Sequence, residues 1–236
     1  MAEQISLTNN VDLVWMELAA NCRIRGKSRE EAREVLNSKI GETITSKDNI
    51  RKKRDILLNM WYRDDEWFIN RSIQAAEGMP TNSRIALHWA QLLRYYPVFY
   101  DLTCTVGTLF QYRDEITIKQ IRERLFELWG ARATLLNSLP KNIQTLKELQ
   151  AIEPTQEKGK YKKHITIIRE PKTVELLSIA VIQRSGQGGL TWEDILQHAA
   201  LFPFQIENVT QADMAASEKL RLNKMGDRII IETKDL

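Results

Sequence analysis

Two residue types that carry much of enzyme chemistry are scarce in this chain. Histidine occurs three times in 236 residues and cysteine twice. His88, His164 and His198 fall in separate stretches, and no HExxH or CxxC spacing occurs. Neither a helix-borne zinc site nor a dithiol is therefore encoded locally. The spacings of a nucleophile elbow and of a phosphate-binding P-loop are absent as well. Ser185-Gly186-Gln187-Gly188-Gly189 is rich in glycine but lacks a following Gly-Lys-Ser/Thr, so it reads as a flexible link. Asp64, Asp65 and Glu66 are consecutive. On a helix they point apart, and they suit a helix start, where the macrodipole favours negative charge. These absences predict a non-enzymatic protein with no metal and no cofactor.

Other shortages bear on compartment. Cys22 and Cys104 sit in apolar helical patterns and are expected as buried thiols rather than as a disulfide scaffold. The opening MAEQISLTNNVDLVW lacks a basic stretch followed by an apolar one, so no signal peptide is expected. No stretch approaches the roughly 18 uninterrupted apolar residues of a membrane span. The longest apolar zone, Tyr95 to Phe110, is broken by Pro97, Asp101 and Gly107. A cytoplasmic location without membrane contact is the expectation.

What is present is ordinary globular material, 43% apolar and 28% charged. The net charge of +3 permits a nucleic-acid partner without requiring one, so the distribution of charge has to decide. The first half reads as helical. Ser28-Arg29-Glu30-Glu31 is a capping box. Ser46 opens a helix to about Arg63, Asp64-Asp65-Glu66 one to about Ala76, and Asn82 one to Tyr95. Pro97 stands at the first turn of another, to Tyr112. The aromatics Trp61, Tyr62, Trp67, Phe68, Trp89, Tyr95, Tyr96, Phe99 and Tyr100 keep helical spacing, which predicts core positions rather than base-stacking platforms.

The pattern changes after Tyr112. Ile116 to Trp129 is an amphipathic helix stopped by Gly130. A second runs from Arg132 to Leu149, with Leu135, Leu136, Leu139, Ile143, Leu146 and Leu149 as its stripe. Pro140 lies within it and is expected to kink or split it. Extended runs follow near Ala151–Glu153 and over Lys162–Arg169, around the polar loop Pro154–Lys160. Helix, tight turn, helix and basic hairpin is the order of a winged helix-turn-helix. The last third alternates in a similar order. A helix spans Pro171–Arg184, another opens at Thr191, a third runs from Thr210 to Lys224, and a strand covers Arg228–Glu232. The expected fold is mainly α, with a helical region over 1–113, a winged helix-turn-helix over 114–170, and a looser winged-helix-like α+β unit over 171–236.

Charge follows this arrangement. With the core direction set by Leu139, Ile143 and Leu146, a helical wheel turns Thr134, Asn137, Lys141, Gln144, Thr145 and Glu148 outward. Such groups reach phosphates and base edges. The wing adds Lys158, Lys160, Lys162 and Lys163, with His164 alongside. From Arg132 to Lys163 there are seven Lys or Arg against three Glu. The expected nucleic-acid contacts are Arg132, Thr134, Asn137, Lys141, Gln144, Thr145 and the four wing lysines. A second basic run, Arg51-Lys52-Lys53-Arg54, spreads over more than half of a helix circumference, which favours a solvated surface over a phosphate track.

The Leu128-Trp129-Gly130 turn, the Arg132-Ala133-Thr134 start and the ending Leu201-Phe202-Pro203-Phe204 resemble the BrxA family of bacterial BREX phage-exclusion systems. The resemblance extends over most of the chain. It implies a small, mostly helical, non-enzymatic protein associated with DNA binding in phage defence, with Pro140 as a departure from the pattern. Double-stranded DNA is then the expected partner. Two alternatives stand beside it. The winged helix can dock other defence proteins, such as a methyltransferase or an ATPase, or it can serve as an RNA-binding regulator.

Overall fold

A computed structural model describes residues 7–131 and 133–234, without the side chains of Asn82 and Thr134. The first half is a helical bundle: α1 (Leu13–Ile24), α2 (Arg29–Gly41), α3 (Lys47–Trp61), α4 (Glu66–Ala76) and α5 (Ile85–Tyr95). Local chemistry sets its boundaries. Ser28 caps α2 in a reciprocal box with Glu31. The Asp65 carboxylate caps α4 by accepting the Phe68 N–H at 3.3 Å, and its other oxygen takes two bonds from the Arg94 guanidinium at 3.1 and 2.8 Å. One carboxylate thus fixes the start of α4 and ties it to the end of α5. Trp61, Phe68, Trp89, Tyr96 and Phe99 are fully buried, as their spacing predicted. Trp67 and Tyr100 are only partly buried.

The second half contains one element order twice. The first unit is α6 (Pro97–Tyr112), β1 (Glu115–Thr117), α7 (Ile118–Trp129), α8 (Ala133–Glu148), β2 (Ile152–Pro154) and β3 (Lys160–Lys163). Its antiparallel sheet has the order β1-β3-β2. Next comes the short strand β4 (Thr166–Ile168). The second unit begins with α9 (Pro171–Ser185), β5 (Gly189–Thr191) and α10 (Trp192–Leu196). After the intervening strand β6 (Phe204–Ile206) it ends with α11 (Gln211–Ala215), β7 (Leu220–Met225) and β8 (Arg228–Thr233). Its sheet order is β5-β8-β7, the same arrangement. In both units a threonine closes the first strand and caps the next helix in a reciprocal box, Thr117 with Gln120 and Thr191 with Asp194. Threonine suits both tasks: its β-branched carbon fits a strand end, and its hydroxyl accepts an otherwise unpaired helix N–H.

The units are not separate bodies. β4 and β6 pair in parallel, with Thr166 opposite Phe204 and Ile168 opposite Ile206. The Trp89 indole N–H donates to the Ala200 carbonyl at 2.9 Å, and its ring meets Phe99, Phe202 and Phe204 edge-on. α9 packs on α4 and α5. One continuous hydrophobic core therefore reaches from Leu7 to Ile231, across the boundaries expected near 113 and 170.

The protein is mainly helical with a few small sheets, and several sequence expectations are corrected in detail. Residues 220–224 are not helix. Leu220 and Leu222 alternate inward and pair with β8 across the Gly226-Asp227 turn. The run 162–169 breaks at His164-Ile165 into β3 and β4, which join different sheets. The glycine link contributes its last residue to β5. α8 continues through Pro140, which lies exposed. Among the described residues no helix is long and apolar enough to cross a membrane.

Two predictions follow from the seam around residues 198–206. A Cβ added at Gly107 would stand 1.9 Å from the Ala199 carbonyl oxygen, so α6 reaches this segment only through a bare glycine. Gly107→Ala should lower unfolding stability by about 2 kcal/mol or more in urea denaturation. A loss below about 0.5 kcal/mol would contradict the close approach. His198 Nδ1 accepts the Ala200 N–H at 3.2 Å, and burial holds the imidazole below its ordinary value of 6.5, opposed weakly by Asp194. Because the folded state disfavours the proton, this contribution to stability is complete above the unfolded value and declines as pH falls below it. The melting temperature should therefore drop from about pH 7.5 to about pH 5.5, and His198→Gln should flatten that drop.

Candidate nucleic-acid interface

α8 and the β2–β3 hairpin carry the expected contact residues. The hairpin turns at Glu157-Lys158-Gly159, where Gly159 adopts a positive φ of 84°, a conformation open to glycine at no steric cost. α8 is buried along Leu135, Ser138, Leu139, Asn142, Ile143, Thr145, Leu146 and Leu149. That is a wider buried arc than the apolar stripe alone, because residues 7–12 lie along its polar flank. Leu7 and Val11 are fully buried there. The Thr145 hydroxyl oxygen accepts the Val11 N–H at 3.1 Å, and the Lys141 ammonium donates to the Thr8 carbonyl at 2.8 Å. Lys53 on α3 grips the same segment, donating at 2.8 Å both to the Asn10 carbonyl and to the Asp12 carboxylate.

This packing rotates the solvent face of α8 by roughly 80° from the expected one, at about 100° per residue. Thr145 is the clear correction: it is fully buried and structural. Lys141 is half-buried and engaged with the N-terminal segment. Asn137 is exposed, as expected, and Gln144 is partly so. The Gln144 amide donates to Glu148 at 2.8 Å and accepts from Lys147 at 3.1 Å. Arg132 and the side chain of Thr134 lie outside the described residues. The row that faces solvent is Ala133, Leu136, Asn137 and Pro140, continued by Gln144 and Lys147. Sequence reasoning placed Leu136 in the core stripe, but it is 43% exposed. A signal for the rotation was present in the sequence: Ser138, Asn142, Thr145 and Leu149 repeat at three- and four-residue steps beside the leucines, marking a second buried flank.

The wing lysines divide into two pairs. Lys160 lies 2.5 Å from Glu157 and 4.0 Å from Glu115, and the Glu157 bond holds its ammonium above the usual lysine range. Lys162 lies 3.2 Å from Glu153, which also meets His164 Nδ1 at 2.7 Å. Those two bonds, His164 first, hold the Glu153 carboxyl below its ordinary value. Lys158 and Lys163 are exposed and have no carboxylate partner among the described residues. The run at 51–54 is fully engaged. Arg51 and Lys52 meet Asp48 at 2.7 and 2.6 Å. Arg54 meets Asp55 and Asn37. Lys53 is only 5% exposed. The solvated surface expected is therefore present at Arg51 and Lys52, 56% and 37% exposed, but not at Lys53.

Of the two free thiols, Cys22 is buried and Cys104 half-buried. Burial raises the Cys104 thiol to about 11, which leaves it a poor nucleophile.

Comparison with protein-family models, with curated proteins and with solved structures returns no match.

The Thr145 hydroxyl is the acceptor for a buried backbone N–H. Thr145→Val keeps the shape and removes that acceptor. It should lower unfolding stability by about 1–3 kcal/mol, with helical content by circular dichroism unchanged. A neutral effect would show that the Val11 N–H finds water there.

Proposed function

We propose that residues 97–163 form a winged helix-turn-helix and that the chain binds double-stranded DNA through α8 and the β2–β3 wing, as a non-enzymatic accessory protein of a BREX-type phage-defence system. The observation that carries this reading is topological. The order helix, strand, helix, helix, strand, strand, with the first strand paired to the third, is that of winged DNA readers, which lay the third helix in the major groove. The exposed row on α8 and the exposed Lys158 and Lys163 of the wing supply base-edge and phosphate chemistry. The resemblance to the BrxA family supports the defence role. The repeat of the same order over 171–233 supports a second winged unit.

One observation favours a second reading. Lys160 and Lys162 are neutralised by the wing's own carboxylates, which suits a surface that docks other defence proteins, such as a methyltransferase or an ATPase.

A salt series separates the two. Each phosphate neutralised contributes about 0.9 to the log–log slope of duplex affinity against salt. Replacing Lys158 and Lys163 together by alanine should therefore lower the slope by about two units. Replacing Lys160 and Lys162 should change it less, because each also frees a carboxylate. Absence of duplex binding at moderate salt would sink the DNA reading and leave the docking one.

A further inference from the structure

The exposed row of α8 has a chemistry more specific than "polar". Its members are Ala133, Leu136, Asn137, Pro140 and Gln144. Three of these are apolar, and two are carboxamides. α8 contains no arginine; Lys141 lies at the edge of the row, and Lys147 extends it at the C-terminal end, where its ammonium bonds the Gln144 amide oxygen at 3.1 Å. In the major groove arginine and lysine read the two acceptors of guanine. Asparagine and glutamine pair with the donor and acceptor of adenine, and apolar groups rest on the thymine methyl. We infer that α8 is built to read A·T pairs, with Asn137 on adenine and Leu136 against the thymine C5-methyl. The inference rests on the DNA reading above and specifies its ligand.

The geometry is consistent along the helix. Asn137 and Gln144 are seven residues apart, about 10 Å at 1.5 Å per residue, which matches about three base pairs at 3.4 Å each. Leu136 stands next to Asn137 on the same face, so a methyl contact and an adenine contact fall on adjacent positions of one short site. Asn137 has no side-chain hydrogen bond among the described residues, whereas the Gln144 amide bonds Glu148 and accepts from Lys147. Asn137 is therefore the free reader. The exposed leucine in the row, at 43%, offers the apolar surface on which a thymine methyl can rest.

Uracil tests this cleanly, because it pairs as thymine does and lacks only the methyl. Full-length protein is titrated with short duplexes that are A·T-rich, the same with uracil for thymine, and G·C-rich, at one salt concentration. The expected order is thymine duplex tightest, the uracil duplex weaker by about fourfold per methyl covered, and the G·C duplex weakest. Leu136→Ala, at an exposed position that does not hold the core, should erase the thymine–uracil difference. Asn137→Ala should narrow the A·T to G·C difference while keeping the methyl effect. Equal binding of thymine and uracil duplexes, or a methyl effect that survives Leu136→Ala, overturns the inference and leaves general DNA binding intact. Failure of the unaltered protein to bind any duplex overturns the DNA reading itself, and this inference with it.

Discussion

The indole of Trp89 sits where the helical bundle, the first unit and the second unit meet, and the rest of the arrangement depends on how it is satisfied. A buried indole needs an acceptor for its N–H, because leaving that donor unpaired in an apolar site costs about 1–3 kcal/mol. The acceptor is the Ala200 carbonyl, in the segment leading from α10 to β6. That segment can reach α5 only if α6 leaves room, and Gly107 leaves it. Phe202 and Phe204 then close over the indole ring, and β6 is delivered to pair with β4. One tryptophan thereby sets the position of the link between the two repeated units. The units are packed onto the bundle through one continuous core rather than strung from it.

The second constraint is the claim that residues 7–12 make on α8. A reading helix that stood free would present about half its circumference. Here Val11 and Thr8 are bonded by Thr145 and Lys141, while Ser138 and Asn142 are buried with their side chains bonded to carbonyls of α8 itself. The segment narrows the exposed face of α8: Thr145 is buried and Lys141 is bonded to the Thr8 carbonyl, leaving Leu136, Asn137 and Pro140 as the most exposed ridge.

Much of the fold was legible because it is written in local signals. The capping boxes at Ser28 and Thr191 close as reciprocal pairs, and the leucine stripe of α8 did mark one buried side. What was not legible depends on partners far away in sequence. Nothing near Leu220 distinguishes strand from helix until β8 pairs with it. β1 is three residues long and exists through its pairing with Lys160–Lys163. The orientation of α8 was misread because a wheel weighted by leucines ignores small polar residues that are buried against backbone. Likewise Lys160 and Lys162 looked free until Glu157 and Glu153 were placed beside them by the hairpin register.

The two units share a topology but not a surface, and the difference argues for a division of labour. In the first, residues 97–163 hold eleven Lys or Arg against eight Asp or Glu, and the third helix runs for 16 residues. In the second, residues 171–234 hold seven against eight, and the third helix is five residues long, with Asp213 in its first turn. A helix of little more than one turn cannot span several base pairs at 1.5 Å per residue, and its sign of charge opposes phosphate. The second unit instead spends its length on the β7–β8 ribbon, six residues to a strand, and on α9, which is buried against α4 and α5. The same strand and helix order is thus compatible with a long third helix in a basic unit and with a third helix of five residues in a unit of nearly balanced charge, because the shared sheet and capping boxes do not depend on either.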